Sequence, residues 1–308
     1  MIEKGEKDMG KIYDGIMGLV VGDAVGVPYE FKGRDSFKAK TITGYGTYNM
    51  PVGTWSDDSS LTLATVDSLA SLGRISLDHI MWNFYNWLNF GDFTPYGKVF
   101  DVGNTTKAAI YRYESGTSPI ECGGTSIMDN GNGSLMRILP LAFVDCTDYD
   151  IYKVSALTHG HIISQFACFL YVRIAKNLLK GWEIPEAIEE TMTQIPGHLS
   201  GVFERFTMIG SYTRDRIKST GYVLDSLEAA LWCLLKTYNY KDCILTAVNL
   251  GGDTDTIAAI AGGLAGIYYG VGDYRGIPLE WIDQIARKDY IKDLCDAFEN
   301  KFSLNGVR

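Results

Sequence analysis

The 308-residue chain has six cysteines (Cys122, Cys146, Cys168, Cys233, Cys243 and Cys295), yet no C-x-x-C pair among them. Scattered thiols of this kind argue against a zinc site and against a disulfide framework. Cys168 and Cys233 sit in apolar helical patterns, so reduced core residues of a cytoplasmic protein are expected. Positive charge is also scarce: 28 Lys+Arg stand against 37 Asp+Glu, a net charge of −9. No nucleic-acid partner is expected from such a balance, and a phosphate-bearing ligand would need local help. Long apolar runs are missing too. The opening "MIEKGEKDMGK" has no apolar core of a signal peptide, and the longest uncharged stretch, Thr256 to Gly272, is short and glycine-rich for a membrane span. It reads as a buried helix, and no membrane span is expected. Repeats and low-complexity segments are absent, and alternating strand patterns are rare. "KTITGYGTYNM" is the one stretch that reads as extended or loop.

What the chain does have is helical periodicity. Ile12, Ile16, Leu19 and Val20 recur at three to four residues, as do Leu61, Ala64, Thr65 and Leu69, and then Ile80, Phe84 and Trp87. Further helices are predicted from about Asn104 to Tyr113, Asp148 to Leu157, Ile162 to Leu179, Pro185 to Met192, Leu224 to Tyr238, Lys241 to Leu250 and Asp253 to Tyr269, each bounded by Gly, Pro or a polar cap. With 46% hydrophobic and 21% charged residues, the composition suits a folded core. An all-α, compact multi-helical bundle in a single domain, 1–308, follows. The glycine-rich strings then fall at helix ends, where function tends to sit.

Two of those ends are acidic. "NLGGDTDTIAAIAGGLAG" places Asp253 and Asp255 around Thr254, with Thr256 next, at the mouth of a small-residue helix; "GTWSDDSSLTLATVDSL" places Ser56, Asp57 and Asp58 the same way. Capping alone explains either string, because Asp, Ser and Thr accept hydrogen bonds from free N–H groups and negative charge suits the positive end of a helix. Two matched copies point further. Carboxylates gathered at neighbouring helix starts repel each other and require neutralisation. Carboxylate and hydroxyl oxygens are hard donors suited to Mg²⁺ or Mn²⁺.

The strings "GLVVGDAVGVPYEF", "TWSDDSSLT", "DVGNTTKAAI", "NGNGSLMRILPLA", "LTHGH", "GYVLDSLEAALW" and "NLGGDTDTIAAIAGGLAG" occur in the order and about the spacing found in one family. Over roughly residues 11–270 the chain resembles the ADP-ribosylglycohydrolase family, and in particular its dinitrogenase reductase-activating branch. That resemblance implies an orthogonal multi-helical bundle with a binuclear metal centre, which hydrolyses the bond between ADP-ribose and an acceptor. It implies two divalent cations, with Ser56, Asp57 and Asp58 as the first ligand triplet and Asp253, Asp255 and Thr256 as the second. Ser56 stands where threonine is more usual, keeping the ligand oxygen and losing a methyl group.

Other positions take their roles from the same resemblance. Glu30, at a glycine-punctuated helix exit, is the family glutamate near the metals; Asp101, which by itself could merely cap a helix, becomes a candidate for contacting the acceptor. Gly103 and Asn104 follow it at a polar helix start. In "SIMDNGNGSLMR", the residues Asn130, Gly131, Asn132, Gly133 and Ser134 form a loop whose backbone can approach a diphosphate and ribose without lysine; a tight turn with no ligand explains the string equally well. His159, in preference to His161, Tyr222 as an aromatic against the nucleoside, and Gly252 complete the substrate set. Arg137 reads as structural. The expected partners are ADP-ribose and an ADP-ribosylated protein, most simply one modified on arginine, with the chain as a monomer. Two other readings stay open: a non-catalytic ADP-ribose or nucleotide binder, and a hydrolase of serine-linked or small-molecule conjugates. A phosphohydrolase acting on the diphosphate would use the same ligands and release AMP.

Overall fold

Every periodic segment named above is helical in the computed structural model, which describes residues 10–272 and 274–305. In chain order the helices are α1 (Lys11–Gly26), α2 (Asp57–Leu72), α3 (Leu77–Phe90), α4 (Asn104–Glu114), α5 (Asp148–Ala156), α6 (Ile162–Leu179), α7 (Ile184–Met192), α8 (Ser200–Phe203), α9 (Val223–Lys236), α10 (Tyr240–Val248), α11 (Thr254–Tyr269), α12 (Leu279–Ile282) and α13 (Lys288–Asn305). Among the described residues there is no β-strand, only isolated bridges such as Tyr45 with Met50 and Gly131 with Tyr222. The ends follow local chemistry. Ser76 caps α3 by accepting from His79 N, Thr147 and Asp150 form a reciprocal capping box on α5, and left-handed Gly73 and Gly91 close α2 and α3.

The "KTITGYGTYNM" stretch contains a short 3₁₀ turn at Gly46–Tyr48 within its loop. Two elements were not anticipated, the four-residue α8 and α12, and a third is longer. In α13 the buried Ile291, Leu294, Cys295 and Phe298 sit at helical spacing in a charged background and pack towards α1 and α2.

At the centre lies α11, contacted by α1, α2, α6, α9 and α10. Its residues from Thr254 to Ile267 are all buried, as the unbroken run of small apolar side chains requires. The contact with α1 is made by backbone. A Cβ on Gly18 would overlap the carbonyl of Gly262, and one on Gly22 would overlap the carbonyl of Ala258. Helices can approach this closely only where glycine stands on the facing stripe. Tyr240 Oη donates to Gly18 O (2.5 Å) and Tyr171 Oη to Ile260 O (2.9 Å), fastening both helices to their neighbours. One helix, Ile162–Leu179, is long and apolar enough to cross a membrane by length and composition, and 72% of that window is buried inside the fold. Five of the six cysteines are buried, Cys146 is partly so, and all are free thiols.

The α1–α11 contact predicts that Gly22→Ala destabilises the protein by about 1–3 kcal/mol through overpacking, against the roughly 1 kcal/mol gained in helix propensity. Urea unfolding should show a lower midpoint with an unchanged slope. A midpoint at or above that of the parent would show that the two helices can part without loss.

Candidate active site

The two acidic helix starts meet because α1 and α11 pack so tightly. Gly26 ends α1 against the backbone of Asp255, and Thr254 Oγ1 donates to Gly26 O (2.8 Å). From the last turn of α1, buried Asp23 reaches the start of α2. It accepts from Ser56 N (3.0 Å), Ser59 N (3.1 Å) and Ser59 Oγ (2.5 Å). Those donors are among the orphan N–H groups of a helix N-terminus, so Asp23 does the work of a cap from a different helix. Ser56 Oγ adds a long contact to Asp58 N (3.4 Å). Asp57 and Asp58 are thereby released from capping α2.

At α11 the outcome is the same. Asp253 occupies the N-cap position and makes no side-chain cap bond; its carboxylate accepts instead from Asn132 Nδ2 (2.8 Å). Asp255 Oδ1 accepts from the adjacent Thr256 N (2.9 Å), while Oδ2 is buried without a partner. Asp58 Oδ2 is shared by Ser56 Oγ (3.0 Å) and Thr256 Oγ1 (3.2 Å), while Oδ1 is buried without a partner. Glu30 Oε2 is a third buried orphan.

Carboxylate oxygens of Asp23, Asp58 and Asp255 lie within 4.8 Å of one another, and so do those of Glu30, Asp101 and Asp255. Asp255 is common to both groups. Burial first, then the charges of neighbouring acids, push Asp57, Asp58 and Asp255 well above the usual carboxylate range. Burial and the charge of Asp101 raise Glu30 to about 8; burial raises Asp101 and Asp23 to about 6. Orphaned, mutually repelling, hard oxygen donors are what a bound divalent cation satisfies, so the residues present fit a metal. Most of the acceptor capacity of Asp23 Oδ2 is used by Ser56 and Ser59, whereas Asp58, Asp255 and Glu30 each keep a buried oxygen with no partner. Asp57 faces the same charges from outside the two tight groups.

Glu30 is held by its own surroundings. Thr47 Oγ1 donates to Glu30 O (2.7 Å), and Phe31 N and Gly252 N exchange bonds with Gly252 O and Lys32 O (2.8 and 2.9 Å). Gly252 needs its left-handed φ of 74° for this pairing. Arg34 then ties the same segment to Leu250 O (2.9 Å) and Ile217 O (2.6 Å). Tyr48 faces both Glu30 and Asp101, with its ring 5.1 Å from that of Phe100. Neither Asp23 nor Tyr48 was among the expected site residues. A lone aspartate inside the apolar "LVVGDAVG" was a visible signal for the first, and nothing local marks the second.

The glycine loop lies beside the acids. Asn132 Nδ2 bonds both Asp253 and Ser226 Oγ (2.8 Å each), Asn132 N donates to Gly221 O, and Gly131 bridges to Tyr222. A Cβ on Gly133 would come 2.9 Å from both His159 Cε1 and Thr106 Oγ1. Gly131, Asn132, Gly133, His159 and Tyr222 are therefore one assembly. Asn130 and Ser134 support it from behind: the Asn130 amide is spent on Ile127 O, His161 Nδ1 and Ser164 Oγ, and buried Ser134 bonds Ser155 Oγ (3.0 Å) and Cys168 Sγ (3.4 Å). Gly103 and Asn104 are exposed at the start of α4, which has no side-chain cap.

An all-α fold that sets a cluster of acids and hydroxyls at two helix starts, beside a glycine loop able to receive an anion, defines the class of helical hydrolases with an oxygen-donor centre. The chain belongs to the ADP-ribosylglycohydrolase family, whose model matches residues 5–308. It is 32% identical to the ADP-ribosylarginine hydrolase Tri1 of Serratia proteamaculans, over 94% of this chain and 79% of that one. To the ADP-ribosyl-[dinitrogen reductase] glycohydrolase of Rhodospirillum rubrum it is 31% identical, over 88% and 89% of the two chains. A solved ADP-ribosylglycohydrolase-related protein complex shares the fold with a TM-score of 0.80 at 26% identity, covering 95% of this chain and 98% of that one.

The raised carboxyls set a pH dependence. An acid whose folded-state pKa lies above its unfolded value takes up a proton on folding, so stability is fully present below the unfolded value and is lost as pH rises through the folded one. With Asp23 and Asp101 at about 6 and Glu30 at about 8, chelator-treated protein should lose thermal stability steadily from about pH 5 to about pH 8. Added Mg²⁺ or Mn²⁺ should restore it at the upper end. Melting temperatures that stay flat over that interval in chelator would show that the cluster carries no unrelieved charge.

Proposed function

We propose that this ADP-ribosylglycohydrolase acts on ADP-ribose joined to arginine on a protein, using two divalent cations, Mg²⁺ or Mn²⁺. One observation carries the reading: Asp255 is shared by two tight carboxylate groups, one with Asp58 and one with Glu30, each of these three acids keeps a buried unpartnered oxygen, and the glycine loop lies beside them. The named relatives from Serratia proteamaculans and Rhodospirillum rubrum support the acceptor and the protein substrate. Asp58 and Asp255, with Asp57, Asp253 and the hydroxyls of Ser56 and Thr256, would hold the cations. When bound, these would supply Lewis-acid polarisation at the reacting centre.

The chain's own groups divide the remaining work. Water adds to the anomeric carbon as the bond to the acceptor nitrogen breaks, and the guanidine departs with a proton. Glu30, raised to about 8 by burial and by the charge of Asp101, would hold and move that proton at its free carboxylate oxygen. Asp101 can pair with the planar guanidinium of the acceptor. The N–H groups of the glycine loop and the uncapped start of α4 take the diphosphate, and the half-buried ring of Tyr222 offers the nucleoside an apolar face. Six free thiols support a reducing, cytoplasmic location.

The test is release of ADP-ribose from an arginine-modified protein, read by mass with chelator or with Mg²⁺ or Mn²⁺. Intact ADP-ribose released only with metal is the expected result. AMP and ribose phosphate would move cleavage to the diphosphate, and release only from serine-linked substrate would change the acceptor. Glu30→Gln should slow turnover by about 10²–10⁴-fold with metal affinity kept, and unchanged rates would reassign Glu30 to structure. Asp255→Ala should abolish metal binding and turnover together; full turnover in that variant would remove Asp255 from the site.

A further inference from the structure

Behind the glycine loop, a buried arginine, threonine and histidine are joined by hydrogen bonds that the chemistry above does not use. Arg137 is 0% exposed. Its Nη2 donates to Val154 O (3.1 Å), near the carbonyl end of α5, and to Thr158 Oγ1 (2.8 Å). The guanidinium lies 4.6 Å over the ring of Phe84, and its Nε and Nη1 meet no acceptor. A guanidinium has only donors, so Thr158 Oγ1 is the acceptor in its bond with Arg137. That hydroxyl has one proton of its own to give. The other contact of Oγ1 is His159 Nδ1, at 2.8 Å.

A hydroxyl has two lone pairs but one proton. A hydrogen on Nδ1 would leave the buried Thr158 proton without an acceptor, so these hydrogen bonds favour a bare Nδ1. Burial, and then the charge of Arg137, push His159 down to about 3, so the ring is neutral. A neutral imidazole with a bare Nδ1 keeps its hydrogen on Nε2. This nitrogen faces the loop: a Cβ on Gly131 would stand 3.4 Å from Nε2 and one on Gly133 3.5 Å.

We infer that Arg137 and Thr158 are positioning residues that fix His159 as the Nε2–H tautomer, so that it offers one aimed donor across the Gly131–Gly133 loop to a phosphate or hydroxyl oxygen of the ligand. The ligand's place at the loop rests on the function proposed above; the tautomer rests on the hydrogen bonds alone. The arrangement imposes a direction. Without a donor-only partner on its far side, the Thr158 hydroxyl could turn and accept from Nδ1–H, and Nε2 would then face the ligand as an acceptor and repel its oxygens. Arg137 acts here through two neighbours and without touching the ligand.

The experiment is ring-nitrogen NMR of the ¹⁵N-histidine-labelled full chain, which has 4 histidines, with His159 assigned by its loss in His159→Gln. The wild-type ring should show a bare Nδ1 and a protonated Nε2, and ADP-ribose should move the Nε2 signal. Thr158→Val, nearly equal in volume, should shift the ring to a mixture of tautomers and weaken ADP-ribose binding about tenfold. Thr158→Ser, which keeps the hydroxyl, should restore both. A wild-type proton on Nδ1, or unchanged ring signals in Thr158→Val, overturns the relay. Ring signals unmoved by ADP-ribose overturn the donor role with the tautomer intact. Failure of ADP-ribose release with both signatures intact counts against the proposed reaction alone.

Discussion

The backbone contact between α1 and α11 sets the position of everything else in the cleft. Side chains on both helices would hold their axes well apart, and the start of α11 would then miss the end of α1. With Gly18 and Gly22 facing Gly262 and Ala258, the two helices lie in van der Waals contact, and Asp23 and Asp255 come within reach of the same point. The closeness also explains why the apolar run of α11 is built from Ala, Gly and Ile. Larger residues would add buried area, but at the cost of the separation that makes the site. Packing that looks like a stability device is therefore also the device that concentrates charge.

Concentrated charge works against folding, and the surrounding structure contains it. Asp23 is stabilised by three donors at the start of α2, Ser56 N, Ser59 N and Ser59 Oγ, an arrangement that turns a buried anion into the anchor for a helix. Arg34 binds the strap after Glu30 to the turn before Asp253 through carbonyls, so this cation stabilises backbone without reaching into the cluster. Among the described carboxylates, the buried oxygens left without a partner belong to Glu30, Asp58 and Asp255. A cation bound at those oxygens would contribute to stability as well as to chemistry.

The sequence carried the helices legibly, because 3.6-residue periodicity and caps are local. Its two acidic strings were legible as motifs and ambiguous in role, since Asp, Ser and Thr are both the best caps and good hard ligands. Hydrogen bonds narrow that ambiguity: Asp253 makes no side-chain cap bond on α11, and the start of α2 is held by Asp23 from α1 as well as by its own Ser56. Asp23 needed knowledge of its partners Ser56 and Ser59 to be seen as an anchor. Tyr48 depends on a strap turned by left-handed Tyr45 and Asn49, conformations that no local pattern announces. In α13 the periodicity was present, but frequent charges on its exposed face hid a stripe that only packing makes evident. Asn130 and Ser134 look like ligand contacts in a glycine loop, yet their burial shows them shaping the loop for its neighbours.

An acidic protein that handles a diphosphate faces a choice between charged and neutral donors. Lysine or arginine beside the loop would attract phosphate strongly, but it would also pair with the carboxylates a few ångströms away and compete with the cations they gather. Neutral donors avoid that competition. Backbone N–H groups of a glycine loop and helix starts, and an imidazole held uncharged, present positive edges without adding a mobile counter-ion. Arg137 shows the same logic one layer deeper: its charge is kept out of the cleft, against Phe84 and the end of α5, and reaches the loop only as the direction of a proton in Thr158. Under the proposed function, anion recognition and cation binding would share one small cleft because only one of them uses net charge.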